Sequence, residues 1–204
     1  MKKIAKRNRQ MTMQRILAAL GDVIAEQGAD KAGINAVADK AGINKVLIYR
    51  YFGGYEGLMQ SFTEQSDFWT IFNDQFLENN RERMTTSSQN QVWSDYMVQF
   101  ARAFRHRRVA QELLKWEIAN SGSALSAHMT QTRQEALQKL VNQLSPDTRH
   151  DTKAVAAILL AAITQLSFLA SANYKLFDID LQSDEGWQRI ERAIRQIYTC
   201  VDQA

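Results

Sequence analysis

The sequence predicts an all-α protein of about nine helices. Apolar side chains recur at spacings of three, four and seven residues over most of the chain, which is the period of an amphipathic helix. No segment of useful length alternates apolar and polar residues, and the chemistry typical of β-hairpin turns is missing from the pattern. With 204 residues and 45% hydrophobic content, the chain can bury one good core, or a small domain docked on a larger one.

The N-terminal segment divides into a basic arm and a first helix. Residues 1–11 are polar and basic without helical periodicity, so they are predicted to form an arm that lies along a polyanion. Thr12 is a candidate cap for a helix that runs to about Gln27. Gly28 then has the position of a glycine that ends a helix.

Residues 34–58 predict two short helices around a sharp turn. Gly42 tolerates the left-handed backbone that such a turn needs, and Asn44 is a good N-cap for a second helix over 45–51. The apolar side chains that would face inward are Val37, Ala38, Ala41, Ile48 and Phe52. Two short helices around a glycine turn, with a basic and aromatic outer face, indicate a helix-turn-helix.

The same stretch carries a family signature. The matching positions are Ala41-Gly42-Ile43-Asn44-Lys45, Ile48-Tyr49-Arg50-Tyr51-Phe52, Glu56 and Leu58. In their order and spacing they resemble the DNA-binding signature of the TetR/AcrR transcriptional regulators. Three positions depart from that pattern: Val46 replaces a small residue, Tyr55 replaces a lysine, and Ala32-Gly33 stand where a threonine usually begins the first motif helix. The resemblance implies a homodimeric regulator, most often a repressor, whose larger helical domain binds a small effector.

The second motif helix is expected to enter the major groove by its N-terminal residues. Lys45 can donate to guanine or to a phosphate, and exposed Val46 and Leu47 would suit thymine methyl groups. The resemblance adds Asn35 as a base contact and three tyrosines as phosphate contacts, for which packing is the alternative role. The predicted DNA-binding set is Asn35, Asn44, Lys45, Val46, Leu47, Tyr49, Arg50, Tyr51 and Tyr55.

Two domains are expected, the helix-turn-helix domain over 1–54 and a helical ligand-binding and dimerisation domain over 55–204. The predicted helices of the second domain are 55–84, 92–105, 108–120, 124–144, 152–173 and a last one after a loop over 177–184. Aromatic and Met side chains on these helices form either plain core or the wall of an effector cavity, which the resemblance implies. The candidate ligand-binding residues are Met59, Trp69, Phe72, Trp93, Tyr96, Phe100, Trp116, Glu117 and Met129.

Glu117 is the one acidic member of that set. If it is buried, it needs a partner such as Arg102 or a cationic ligand, because an unpaired buried carboxylate is costly. The alternative places Glu117 on the solvated face of its helix.

The last two long helices are expected to form a four-helix bundle across a two-fold axis. The last helix carries a narrow apolar stripe at spacings of three and four, and the Ala-rich helix before it allows close approach. The candidate dimerisation residues are Ala157, Ala161, Trp187, Ile190, Ile194, Ile197 and Val201.

Charge and composition narrow the function further. Residues 1–50 hold ten basic and four acidic side chains, which gives them +6 and leaves −3 for the rest of a chain of net charge +3. A basic end on a nearly neutral body predicts a double-stranded DNA partner held by that end. A single cysteine, Cys200, and the missing secretory signal indicate a cytoplasmic protein. The apolar run over 154–172 contains Thr, Gln and Ser, and seven of its 19 residues are Ala, so a buried packing helix is expected rather than a membrane span.

No catalytic centre, metal site or cofactor is predicted. The three histidines fall on different elements without metal-ligand spacing, and phosphate-binding loops and nucleophile elbows are missing. Two alternatives to a ligand-released repressor remain. One is a helical enzyme or ligand carrier that does not bind an operator, and the other is a DNA-binding regulator controlled by a protein partner. Steep loss of duplex affinity with salt would separate a regulator from an enzyme.

Overall fold

A computed structural model describes residues 2–144 and 151–203, with side chains for 8–144 and 151–200. It confirms the all-α prediction, with eleven α-helices and one 3-10 helix in the described ranges where about nine helices were expected. The elements are α1 (Lys2–Gln27), the 3-10 helix η1 (Ala29–Lys31), α2 (Ile34–Ala41), α3 (Val46–Phe52), α4 (Tyr55–Gln65), α5 (Phe68–Asn79), α6 (Arg81–Thr86), α7 (Gln89–Arg105), α8 (Arg108–Ala119), α9 (Ala124–Leu144), α10 (Thr152–Ser171), β1 (Lys175–Leu176), β2 (Ile179–Asp180) and α11 (Asp184–Gln203).

The first helix extends further toward the N-terminus than its periodicity indicated. α1 begins at Lys2, so the segment predicted to be an arm is helical. Thr12 lies inside the helix, where its hydroxyl donates to the Asn8 carbonyl at 2.8 Å, and it caps nothing. Elongating a helix that is already nucleated costs far less than starting one, so the segment needs no apolar face of its own. Gly28 ends α1 as predicted, with a φ of +90°.

The prediction of one long helix over 55–84 is wrong, because the segment is interrupted near two polar residues. The Ser66 hydroxyl donates to the Phe62 carbonyl at 2.6 Å, and the Asn80 amide donates to the Phe76 carbonyl at 2.8 Å. The same carbonyls also accept the backbone N–H groups of Ser66 and Asn80, at 3.0 and 3.1 Å, so these residues close the last turns of two helices. The segment therefore forms α4, α5 and α6 instead of one rod.

A short hairpin replaces part of the loop expected before α11. β1 and β2 pair antiparallel, with Lys175 opposite Asp180 and Leu176 opposite Ile179. Phe177 in the turn has a φ of +53°, a conformation that bulky residues seldom adopt and that glycine or asparagine would have signalled. The expectation of no hairpin was wrong for this reason.

The chain groups into two compact units. Unit 1 comprises residues 1–68 and 112–131, and unit 2 comprises 69–111 and 132–204. In unit 1, α1 packs against α2 and α4, and α3 packs against α4. In unit 2, α7 packs against α10 and α11 around a core of large aromatic side chains, namely Trp93, Tyr96, Phe100, Phe104 and Tyr198. The functional boundary between 54 and 55 stays a prediction.

Candidate nucleic-acid interface

The turn between α2 and α3 has the local chemistry that its sequence predicts. Gly42 adopts the left-handed conformation, with φ +61° and ψ +44°, and ends α2. The Asn44 side chain accepts a hydrogen bond from the Val46 N–H at 2.9 Å, as a capping residue does. α3 begins at Val46, one residue later than predicted, with Lys45 at the cap position. Ile48 is fully buried and anchors α3 from below.

Gly57 lets α4 approach the end of α3 closely. A Cβ atom at this position would lie 1.9 Å from the Phe52 carbonyl oxygen, which no side chain tolerates without a backbone shift. The sequence analysis did not single out Gly57, although a glycine inside a helical pattern signals a close backbone approach. Its contact sets the position of α3 within unit 1.

The outer face of α3 presents a basic, aromatic and apolar surface. Val46 is 61% exposed and Tyr49 is 55% exposed, and Arg50 lies beside them on the surface. Leu47, also predicted to contact bases, is only half-buried, so part of its side chain remains accessible. This exposed face is where a groove-reading helix presents its contacts.

Lys45 and Asn35 join the two motif helices at this surface. The Lys45 ammonium donates to Asn35 Oδ1 at 3.3 Å, and both side chains are exposed, as is Asn44. The Lys45 ammonium, which can read a guanine edge, therefore lies next to the Asn35 amide, which can read an adenine edge. The two candidate base contacts, predicted from different helices, are brought together.

Tyr51 makes a cation–π contact with Arg9, a residue that was not predicted to belong to the interface. Its half-buried ring lies under the guanidinium of Arg9, 5.3 Å from the ring centroid, and near that of Arg50 at 6.0 Å. Arg9 comes from α1, so this cation–π contact adds a positive charge from the first helix to the surface beside α3. The basic N-terminal run was the available signal, but only the fold shows which of its residues comes close.

Tyr55 is not the free hydroxyl donor that was predicted for phosphate contact. Its hydroxyl donates to the Ala29 carbonyl at 3.3 Å, which links α4 to the 3-10 helix. Burial raises the pKa of Tyr55, and the nearby Asp30 carboxylate raises it further. Tyr55 therefore supports unit 1 from within, and donation to DNA would require breaking this bond.

The predicted effector residues fall into two groups, and the larger group forms a dense aromatic cluster in unit 2. Its members are Trp69, Phe72, Trp93, Tyr96 and Phe100, with ring centroids 5.1–6.2 Å apart in the contacting pairs. The buried Tyr96 hydroxyl donates to Asn73 Oδ1 at 2.8 Å, and the Asn73 amide donates to the Ala136 carbonyl at 3.1 Å. This polar chain is the hydrogen-bonding feature within the cluster.

The other four predicted effector residues belong to unit 1: Met59, Trp116, Glu117 and Met129. Glu117 is 4% exposed, so the solvated alternative is wrong. Its carboxylate accepts a hydrogen bond from the Thr130 hydroxyl, and the partner suggested for it, Arg102, pairs with Glu191 at 2.5 Å instead. A hydroxyl on the neighbouring helix, and not the suggested arginine, is therefore the partner of the Glu117 carboxylate.

The predicted dimerisation residues also divide. Trp187 and Ile194 are 2% and 3% exposed, so these two side chains pack into the core of their own unit and leave little surface for a second copy. Ile190 is half-buried, while Ile197, Ala157 and Ala161 are exposed. Val201 lies outside the residues whose side chains are described. The periodic stripe on α11 thus lies partly in the core of its own unit, and periodicity alone could not distinguish such a packing face from an interface.

α10 is less buried than expected. It is long and apolar enough to cross a membrane by length and composition, with a mean hydropathy of 2.0, yet only 22% of that window is buried. One face, with Ala156, Leu159 and Ile163, is buried, while Ile158 on another face is 68% exposed. A long apolar helix packed on one side only leaves a surface suited to another helix.

Comparison with known proteins places these features in context. Residues 16–62, from within α1 to within α4, match the family described as bacterial regulatory proteins, tetR family. No curated protein matches the chain significantly.

Among solved structures, the fatty acid degradation regulator FadR from Bacillus halodurans is 16% identical, with a TM-score of 0.58 over 92% of this chain and 94% of that chain. A transcriptional regulator from Rhodococcus sp. Rha1 is 19% identical, with a TM-score of 0.63 over 94% and 96%. RolR in complex with resorcinol is 17% identical, with a TM-score of 0.50 over 94% and 89%. At these identities the likeness shows a shared fold.

Proposed function

The chain belongs to the tetR family of bacterial regulatory proteins, and from that premise we propose that it is a homodimeric, sequence-specific transcriptional repressor in the cytoplasm. It binds a palindromic double-stranded operator and is released by a small apolar or aromatic effector. No catalytic step is assigned to it.

The exposed face of α3 is the observation that carries this proposal. Lys45 and Asn35 present a donor and an amide to base edges, and Val46 presents an apolar surface to a thymine methyl group. Tyr49, with Arg50 and Arg9 around Tyr51, supplies phosphate contacts on either side. Phosphate contacts position the helix and base contacts select the sequence.

The dimer is proposed to form through the exposed face of α10 together with the exposed edge of α11. Ala157 and Ala161 allow close helix approach, and Ile158 supplies apolar area that water would otherwise cover. In a two-fold dimer the same face meets itself. Binding of both subunits to one palindromic operator then requires two copies of α3 about 34–36 Å apart, or a small multiple of this.

The effector is proposed to enter the aromatic cluster of unit 2. Its rings suit an apolar or aromatic molecule, and the Tyr96–Asn73 pair offers one hydrogen-bonding position. Binding that separates packed rings favours a different arrangement of the helices, and a coupling of about 1–3 kcal/mol would change operator affinity about 5–150-fold.

The experiment selects duplexes from a random pool with the full-length protein and then measures affinity in a salt series. We expect palindromic sites and a steep loss of affinity as salt rises. Lys45→Ala should weaken the selected site by about 1–3 kcal/mol and relax the preference at one base pair if Lys45 reads a guanine. If Lys45 contacts only phosphate, all sequences weaken alike and the salt slope falls by about one.

Lys139→Ala is the matched control, because this exposed lysine lies in unit 2, where it pairs with the exposed Asp74. Duplex binding that is weak and insensitive to salt would contradict the repressor assignment. Equal effects of Lys45→Ala and Lys139→Ala would remove Lys45 from the interface.

The dimer face is tested with Ile158→Asp. A charge on this exposed residue should leave the fold intact and yield a monomer in sedimentation, with operator affinity largely lost. Ile118→Asp is the control, since Ile118 is 62% exposed but lies on α8. An intact dimer with Ile158→Asp would refute the α10 interface. Ile194→Asp does not test the dimer interface, because Ile194 is buried and a charge at this position would unfold unit 2 before any effect on dimerisation could be measured.

A further inference from the structure

A cavity of about 280 Å³ lies within unit 2, where the ends of α7 and α10 meet the loop before α11. Its walls include Arg105 and Arg108 from the α7–α8 turn, Ala170 from α10, and Leu181, Asp184 and Trp187 from the α11 side. None of the predicted effector residues lines it. The volume is close to the lower limit of small-molecule sites, roughly 300 Å³.

Arg105 is the central charge of this cavity. Its side chain is only 15% exposed, and its guanidinium lies 5.6 Å from the centroid of the Trp187 ring. Its Nε donates to His106 Nε2 at 2.8 Å, and Nη2 donates to the Asp184 carboxylate. An arginine keeps its charge at all ordinary pH values, so a guanidinium this far from water favours a carboxylate beside it.

Asp184 is an exchangeable partner for that charge. Its side chain is 81% exposed, so this carboxylate can return to water at little cost. Arg105, in contrast, is held in place from several sides. The Gln111 amide donates to the carbonyls of Phe104 and Arg105, at 2.8 and 3.0 Å, which fixes the end of α7 beneath it. A fixed cation paired with an exposed surface carboxylate is a site where one carboxylate can replace another.

We propose that this cavity binds a small organic monocarboxylate whose carboxylate replaces Asp184 on Arg105. The guanidinium donates two parallel hydrogen bonds to a planar carboxylate. The body of the ligand lies against Leu181, Ala170 and the Trp187 ring, which supply the apolar wall. A monoanion is favoured over a dianion such as a phosphate ester, because the displaced Asp184 carboxylate remains nearby and repels extra negative charge.

The test uses the free protein without operator DNA, so its outcome does not depend on the proposed repressor function. Isothermal titration calorimetry with sodium benzoate at constant ionic strength should show one site per chain. Benzamide, which has the same shape without the charge, should bind at least about tenfold more weakly. Asp184→Asn should tighten benzoate binding severalfold, because it removes the internal competitor, and Arg105→Gln should weaken it at least about tenfold.

Asp178→Asn is the matched control, because Asp178 is an exposed hairpin carboxylate that pairs with Arg189 and does not line the cavity. It should leave benzoate affinity unchanged. Arg105→Gln changes a packed residue and could disturb the fold. Asp184→Asn changes an exposed side chain, so its effect on benzoate affinity is the decisive measurement. The proposal is overturned if benzoate does not bind, if benzamide binds equally well, or if Asp184→Asn leaves the affinity unchanged or lower. Tighter binding of phenyl phosphate than of benzoate would overturn the monocarboxylate assignment.

Discussion

The hydrogen bond between Tyr96 and Asn73 should be a measurable source of stability in unit 2. Both side chains are almost fully buried, at 0% and 1% exposure, and the Tyr96 hydroxyl donates to Asn73 Oδ1 at 2.8 Å. The rings of Phe72, Phe76 and Trp93 have centroids within 5.1–5.9 Å of the Tyr96 ring, and they offer no alternative acceptor oxygen. Removing one partner should therefore strand the other in an apolar environment.

The magnitude follows from this burial. Asn73→Leu leaves the Tyr96 hydroxyl without its acceptor, and Tyr96→Phe leaves Asn73 Oδ1 without its donor. Each single variant should lower the free energy of unfolding by about 1–3 kcal/mol, the cost of a buried polar group without a partner. The double variant leaves neither hydroxyl nor amide, so its loss should be clearly smaller than the sum of the two single losses.

Urea unfolding followed by circular dichroism and tryptophan fluorescence gives the four free energies of this double-mutant cycle. The thermal midpoint should fall by about 2–4 °C for each kcal/mol lost in a chain of this size. Asn79→Leu, at an exposed position of the same helix, is the control and should stay within about 0.5 kcal/mol of the wild type. Additive single losses, or an Asn73→Leu variant as stable as the wild type, would refute the reasoning.

Two further outcomes test the packing of each unit. Gly57→Ala should lower the free energy of unfolding of unit 1 by about 1–3 kcal/mol, because the new Cβ would lie 1.9 Å from the Phe52 carbonyl oxygen. Gly122→Ala is the control, since a Cβ there meets no atom within 4 Å. Equal urea midpoints for the two variants would contradict this prediction. Burial raises the pKa of Tyr96 and of Tyr198 above the value of about 10 that a tyrosine has in an unfolded chain. Above that pH the unfolded chain therefore loses these two protons while the folded protein still holds them. Stability should be intact below that pH and should fall as pH rises above it, less steeply in Tyr96→Phe. An absorbance titration in which every tyrosine ionises while the protein stays folded would be inconsistent with that burial.

The sequence by itself determined the features that depend on neighbours along the chain. The left-handed Gly42 and the inward Ile48 follow from backbone sterics and packing within a few residues, and both are found as predicted. The Asn44 side chain accepts from the Val46 N–H, but the cap position itself is one residue later than predicted, at Lys45. The all-α class follows equally from local periodicity. Lys45 and Val46 could be proposed from the sequence as base contacts of the second motif helix, Val46 on the condition that it is exposed, and both are exposed.

Periodicity shows that a helix has an apolar face, but it does not show what covers that face. Trp187 and Ile194 lie in the core of their own unit, while Ile158 on the neighbouring helix is exposed. Similarly, Arg9 joins the α3 surface through the Tyr51 ring, a contact between residues 42 positions apart in the sequence. Such outcomes depend on which elements pack together, and that is decided by the whole set of competing apolar contacts.

The ends of the helices were predicted less well than their existence. The segment predicted as one long helix forms α4, α5 and α6, and α1 runs on to Lys2 where no apolar face supports it. The free-energy differences between continuing and ending a helix at such residues are below about 1 kcal/mol, so propensity along the sequence does not decide these ends. The tertiary structure was therefore needed to show where helices end and which of their faces are buried, while short-range chemistry had already determined the helix-turn-helix.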